Sequence, residues 1–159
     1  MTCCDWIICE RAPRWTPAIR LAIECDSSIT STGVRLREVR RLGELTAELA
    51  QRSGNLVAVE IDAANFAAVL SWLATVERQF ATARCVALLD SSFSSSRIKE
   101  LSAALYEAGA VAIATSPRQI AGILEVARQH AESMPISGSA TEDASLAALV
   151  WGSLPWQDG

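Results

Sequence analysis

Four apolar runs in the sequence stop on side chains capable of acid–base, metal or ionic chemistry. Trp6-Ile7-Ile8-Cys9 stops at Glu10 and Arg11, and the run from Leu56 carries Glu60 before Asp62. The run from Cys85 stops at Asp90 and Ser91, and the one from Val111 stops at Thr115, Ser116 and Pro117. If these runs are neighbouring strands, the polar residues share one sheet edge. Clustered carboxylates would suit a divalent cation such as magnesium. Arg11 falls among them, however, and a guanidinium is a poor neighbour for a cation and a good one for carboxylates. Arg11 is therefore expected to pair with Glu10, Glu60 or Asp90 through bidentate hydrogen bonds. Such pairing would mainly offset the desolvation of the carboxylates. Two other readings stay open: ordinary polar residues at loop-facing strand ends, and a cation site.

Other chemistries lack their residues. A phosphate-cradling loop or a dinucleotide site needs a glycine-rich turn after the first strand, and this chain has "ERAPRWTP" there. A Ser-His-Asp arrangement needs a histidine near a nucleophile. The single histidine, His130, falls near the end of the last helical pattern and is read as a solvated surface residue. The five cysteines are Cys3, Cys4, Cys9, Cys25 and Cys85. They include no Cys-x-x-Cys pair, so neither a disulfide framework nor a zinc site is indicated. Cys9 and Cys85 sit in apolar runs and read as core; Cys3-Cys4 reads as a more exposed pair. No metal and no cofactor are expected.

The elements that must position the polar edge follow from periodicity. Strands are expected at 6–9, 34–39, 56–61, 85–89 and 111–114, and helices at 16–24, 42–52, 65–80, 97–108 and 117–131. The Ser- and Thr-rich stretch 26–33 reads as a loop, Ser96 as an N-cap, and Gly109 as a helix stop. Four of the strands are almost wholly apolar, as strands buried on both faces are. The stretch 34–39 alternates arginines with apolar residues, as a half-exposed edge strand would; its arginines would discourage edge-to-edge pairing. Right-handed crossovers then give a parallel sheet with helices on both faces and a working edge at the strand carboxyl ends.

With 159 residues, 50% of them hydrophobic and 20% charged, the chain reads as globular. A net charge of −4 argues against nucleic acid as the main partner. No stretch has the length of apolar residues that a membrane span needs, and no basic segment with a long apolar run opens the chain. Unpaired thiols fit the cytoplasm, which is the expected location.

Two stretches resemble the receiver domain of bacterial response regulators. "EAGAVAIATSP", residues 107–117, is similar to that family's Ala-Gly-Ala, strand, Thr-Lys-Pro segment, and "NLVAVEI", residues 55–61, resembles its Asp-Leu-Val-x-x-Asp-Ile strand. The resemblance covers about residues 5–133. It implies a three-layer, doubly wound (βα)5, flavodoxin-like fold with a parallel sheet in the order 2-1-3-4-5. It also implies where the family's chemistry would fall. The phospho-accepting aspartate maps to Glu60, and the magnesium-holding acidic pair to Glu10 and Arg11. The hydroxyl residue maps to Asp90, beside Ser91 and Ser92; the lysine maps to Ser116, before Pro117; the aromatic switch residue maps to Ile113. Most of the required residue types are therefore missing. What the resemblance implies is a degenerate phospho-site at Glu10, Arg11, Glu60, Asp90 and Ser116 in a fold that has been kept.

After Ser133 the texture changes. "MPISGSATED" reads as a linker, and "ASLAALVWGSLPWQDG" is again apolar. The expected organisation is a receiver-like domain over 1–133 and a linker with an apolar appendage over 134–159. Trp151, Leu154 and Trp156 would either pack on their own domain or anchor a partner. The expected function is a non-phosphorylatable signalling or scaffold domain acting by protein–protein contact, with no enzyme activity. The alternatives are an atypical receiver phosphorylated at Asp62 or Asp90, and a small-molecule-binding domain. The protein partner is unknown; homodimerisation is an inherited expectation only.

Overall fold

The computed structural model describes residues 5–27, 29, 34–52 and 54–133. The appendage with Trp151, Leu154 and Trp156, and the Cys3-Cys4 pair, lie outside the described residues. The elements fully within the described residues alternate: β1 (Asp5–Cys9), α1 (Thr16–Cys25), β2 (Arg35–Val39), α2 (Leu42–Gln51), β3 (Leu56–Ile61), α3 (Phe66–Gln79), β4 (Arg84–Leu89), α4 (Ser95–Glu107), β5 (Ala110–Ala114) and α5 (Ile120–Ser133). A 3-10 turn, Pro117–Gln119, precedes α5.

All strand pairs are parallel, in the order β2-β1-β3-β4-β5. The period of two sends alternate β1 side chains into two layers. Ile7 and Cys9 join Leu45, Leu49, Val69, Leu73 and Leu105 under α2, α3 and α4. Trp6 and Ile8 join Trp15, Ile19, Ile120, Ile123 and Ala127 under α1 and α5. Each parallel crossover carries the chain from one end of the sheet to the other, so the loops after β1, β3, β4 and β5 share one edge.

Several local expectations change. Ser27 and Ile29 are helical rather than loop, because Ile29 is apolar and buried in the layer under α1 and α5. Ser94, not Ser96, caps α4: its hydroxyl accepts from the Arg97 backbone N–H at 3.3 Å. Gly109 follows α4 with φ +108°, a conformation only glycine adopts cheaply.

His130 corrects a further expectation. It is buried, with 5% of its surface exposed, and its Nε2–H donates to the Gly54 carbonyl at 2.8 Å. The α5 periodicity explains why: His130 lies on the same face as Ile123 and Ala127. Burial pushes its pKa below 6.5 and nearby Arg84 lowers it further, against the bond to Gly54, which raises it. The unfolded chain therefore binds the proton more readily than the folded one. The stabilising contribution is complete above pH 6.5 and is lost as pH falls from there through the lower folded pKa. Denaturant midpoints should fall between about pH 7.5 and 5.5, and the decline should flatten in His130→Gln.

Candidate functional site

Glu10 directly follows β1 and is 2% exposed, a costly place for an unpaired carboxylate. Its oxygens are fully engaged. Oε2 accepts from the backbone N–H of Arg14 at 3.0 Å and of Trp15 at 2.8 Å. Oε1 accepts from the Thr16 backbone N–H at 3.1 Å and from the Thr16 hydroxyl. The residue at the N-cap, Trp15, offers no side-chain cap of its own. Glu10 takes over that role from the preceding loop, satisfying orphan N–H groups at the positive end of the α1 dipole.

Glu60 sits at the corresponding level of β3, where one oxygen accepts from the Arg11 backbone N–H at 3.1 Å. Burial raises its pKa, and the carboxylates of Glu10 and Asp90 raise it further; the Arg11 hydrogen bond and Arg14 oppose them. Asp62 closes the next turn. Its Oδ1 accepts from the backbone of Ala64 and Asn65 at 2.8 and 2.7 Å, while its own N–H donates to Asn65 Oδ1 at 2.8 Å. This reciprocal turn sets the entry to α3. Asp90, after β4, responds oppositely to Glu60. Burial acts to raise its pKa, but hydrogen bonds from Ser91 and Ser92, aided by Arg14, outweigh that and hold it below the usual range.

The arginines are distributed differently from expectation. The Arg11 guanidinium does not reach Glu10, Glu60 or Asp90. It pairs with Asp62 at 3.0 Å and its side chain is 66% exposed, so only its backbone joins Glu60. An ion pair that wet contributes at most about 1 kcal/mol. The expected partner role at Asp90 belongs to Arg14, whose Nη1 donates to Asp90 Oδ1 and whose guanidinium lies 5.3 Å from the Trp15 ring centroid. Arg40, from the turn after β2, donates to the Glu10 carbonyl at 2.9 Å. Periodicity cannot see Arg14 or Arg40, because both lie outside the strands and helices. A signal for the Glu10 cap was present: an acid six residues ahead of Thr16-Pro17, a helix start.

On the β5 side, Ser116 Oγ accepts from the Arg118 backbone N–H at 3.3 Å and caps the 3-10 turn. Thr115 donates from its backbone to Gln119 Oε1 at 2.7 Å. The structure thus brings Glu10, Glu60 and Asp90 to one edge with the Arg11 backbone, and sets Ser116 at the end of β5 as a turn former. Cys9, beneath the edge, has its thiol pKa pushed up to about 11, mainly by burial and then by Glu44, so it is not a thiolate nucleophile near neutrality.

These residues do not fit a divalent cation. Both Glu10 oxygens already accept two donors each, which leaves no lone pair directed at a metal. The neighbouring position carries a cation, Arg11. Among the described residues, no three acidic, histidine or cysteine side chains converge as a metal-binding set. The adjoining pocket, lined by Glu10, Arg11, Arg40, Leu42, Glu60 and Asn65, has a volume of about 170 Å³. That is below the roughly 300–1,000 Å³ usual for a small-molecule cleft.

No family model matches the sequence, and no curated protein matches it. Solved structures do match its fold. A response regulator from Thermotoga maritima superposes with a TM-score of 0.65 at 17% identity, covering 83% of this chain and 100% of that one. A CheY-like protein (tadZ) from Pseudomonas aeruginosa PAO1 gives 0.60 at 15% identity, over 80% and 98% of the two chains. An atypical orphan response regulator, described as revealing a phosphorylation-independent regulatory mechanism, gives 0.57 at 15% identity, over 79% and 95%. With the strand order β2-β1-β3-β4-β5, these matches give the described domain the receiver fold. No helix among the described residues is long and apolar enough to cross a membrane.

Proposed function

We propose that this receiver-fold domain is a signalling or scaffold module that acts by protein–protein contact without accepting a phosphoryl group, and that it is not an enzyme. The observation that carries this reading is the engagement of Glu10. In the receiver pattern an acid at this position would help hold magnesium; here its carboxylate is spent on the α1 N-terminus. Three further features agree with it. Glu60 stands where the acceptor aspartate would, with its pKa raised rather than lowered. Arg14 fills part of the edge with fixed positive charge beside Asp90. Ser116, in the lysine position, turns its hydroxyl to the Arg118 backbone. At this edge the Glu10 and Asp90 carboxylates are engaged by the α1 N–H groups and Arg14, rather than free for the metal ion that phosphoryl transfer would require. An orphan regulator with the same fold and a described phosphorylation-independent mechanism gives the reading a precedent.

Incubation with acetyl phosphate and magnesium, followed by intact-mass measurement, should leave the mass unchanged. A stoichiometric added phosphate mapped to Asp62 or Asp90 would establish the atypical-receiver alternative instead.

A further inference from the structure

The two edges of the sheet are protected very differently. On β2, exposed Arg35 and Arg37 guard the free edge, and Arg37 pairs with Glu48. On β5, the sequence Ala-Val-Ala-Ile-Ala holds no charged residue, and Val111 is 41% exposed. An apolar edge strand left open invites pairing with another chain, so natural domains charge it, shorten it or cover it.

The start of β5 also opens onto two hollows of mixed lining, at the end of the sheet opposite the carboxylate cluster. One, of about 350 Å³, is walled mainly by Leu73, Val76, Phe80 and Val111, with Glu77 and Arg84 also in its lining. A second, of about 270 Å³, shares Arg84 and Val111 and is otherwise lined by Val126, Gln129, His130 and Ser133. Adjoining at Arg84 and Val111, the two hollows outline a groove of mixed character. Ser133 closes α5, so residues 134–159 leave the described domain from the lining of the groove itself. Those residues carry Leu146, Leu149, Val150, Trp151, Leu154 and Trp156. The ten-residue linker before them spans up to about 33–36 Å when extended, ample to return along β5.

We propose that this groove is the docking site of the chain's own C-terminal apolar segment, with Trp151, Leu154 and Trp156 as its anchors. Three observations select this occupant over a second copy or a foreign protein. The segment starts at the groove. Its apolar residues suit Leu73, Val76, Phe80 and Val111 in the wall of the first hollow. Its tethering raises its local concentration to about the millimolar range, above any ordinary concentration of a separate chain. Covering β5 in this way also blocks edge-to-edge association. The inference does not depend on whether the carboxylate edge can be phosphorylated.

Hydrogen exchange read by mass spectrometry on the full-length chain tests it. In the parent protein, amides in 80–84, 110–114 and 146–156 should be protected to the same degree at high and low protein concentration. In the full chain carrying Trp151→Ser, Leu154→Ser and Trp156→Ser, the 80–84 and 110–114 amides should exchange about tenfold or more faster, while β1 and β3 keep their rates. In Val111→Lys, a change at an exposed position, amides 146–156 should lose protection to a similar degree, which decides the matter even if the serine variant fails to fold. Unchanged rates in Val111→Lys, or a C-terminal segment that exchanges as unprotected chain in the parent, would overturn the proposal. Protection that disappears on dilution would overturn it too, assigning the groove to a second copy.

Discussion

Glu10→Ala should lower the unfolding free energy by about 3–5 kcal/mol, because it removes a buried charged acceptor and strands the donors that faced it. Trp15 and Thr16 lie in the interior, so their N–H groups have no water to turn to. The α1 N-terminus would also lose the anion that complements its dipole. Glu10→Gln keeps one acceptor oxygen but points an N–H₂ group at N–H donors, and should recover no more than about half of the loss. Guanidinium denaturation followed by far-UV circular dichroism measures both. A Glu10→Ala protein within about 1 kcal/mol of the parent would show that the carboxylate does not cap α1, and the functional reading built on that engagement would go with it.

Trp15→Ala should cost about 3–5 kcal/mol, whereas Trp15→Phe should cost about 1 kcal/mol or less. The contrast follows from two facts. The Trp15 side chain is fully buried in the layer under α1 and α5, so alanine leaves a ring-sized cavity. Its indole Nε1 is buried with no hydrogen-bond partner among the described residues, so phenylalanine gives up no such bond and sheds an unsatisfied donor. The ring also lies under Arg14, so the alanine variant should loosen the Arg14–Asp90 pair as well. Chemical denaturation of both variants, with Asp90 titrated by NMR, separates these effects: its pKa should rise in Trp15→Ala and hold in Trp15→Phe. Equal costs for the two would mean that the Nε1–H is satisfied after all.

The architecture was legible because parallel strands buried on both faces have to be continuous apolar runs, and those are visible in any order of reading. Trp6 to Cys9, Leu56 to Ile61 and Cys85 to Leu89 each became a central strand, and the arginine-bearing stretch became the edge. Helix termini were less secure. Ser94 and Ser96 are equivalent caps by composition, and only the course of the chain into α4 makes Ser94 the acceptor for Arg97. His130 was misplaced for a related reason: its chemistry suggested solvent, but its register on α5 points it inward, and the Gly54 carbonyl was there to receive its N–H.

What residue periodicity determined by itself was therefore the succession of strands and helices, a parallel sheet covered on both faces and the edge at which the acids gather. Each of those depends on burial averaged along an element, and periodicity measures that average. What only the tertiary structure decided was which charge meets which. Arg11 stands next to Glu10 in the chain yet reaches outward to Asp62, while Arg14, three residues further, turns in to Asp90. Glu10 serves α1, and Ser116 serves the turn after β5. Several carboxylates and three arginines at one edge allow many pairings of similar Coulomb energy. Backbone geometry in the loops breaks that degeneracy, through N–H groups whose directions exist only once the strands have been brought side by side.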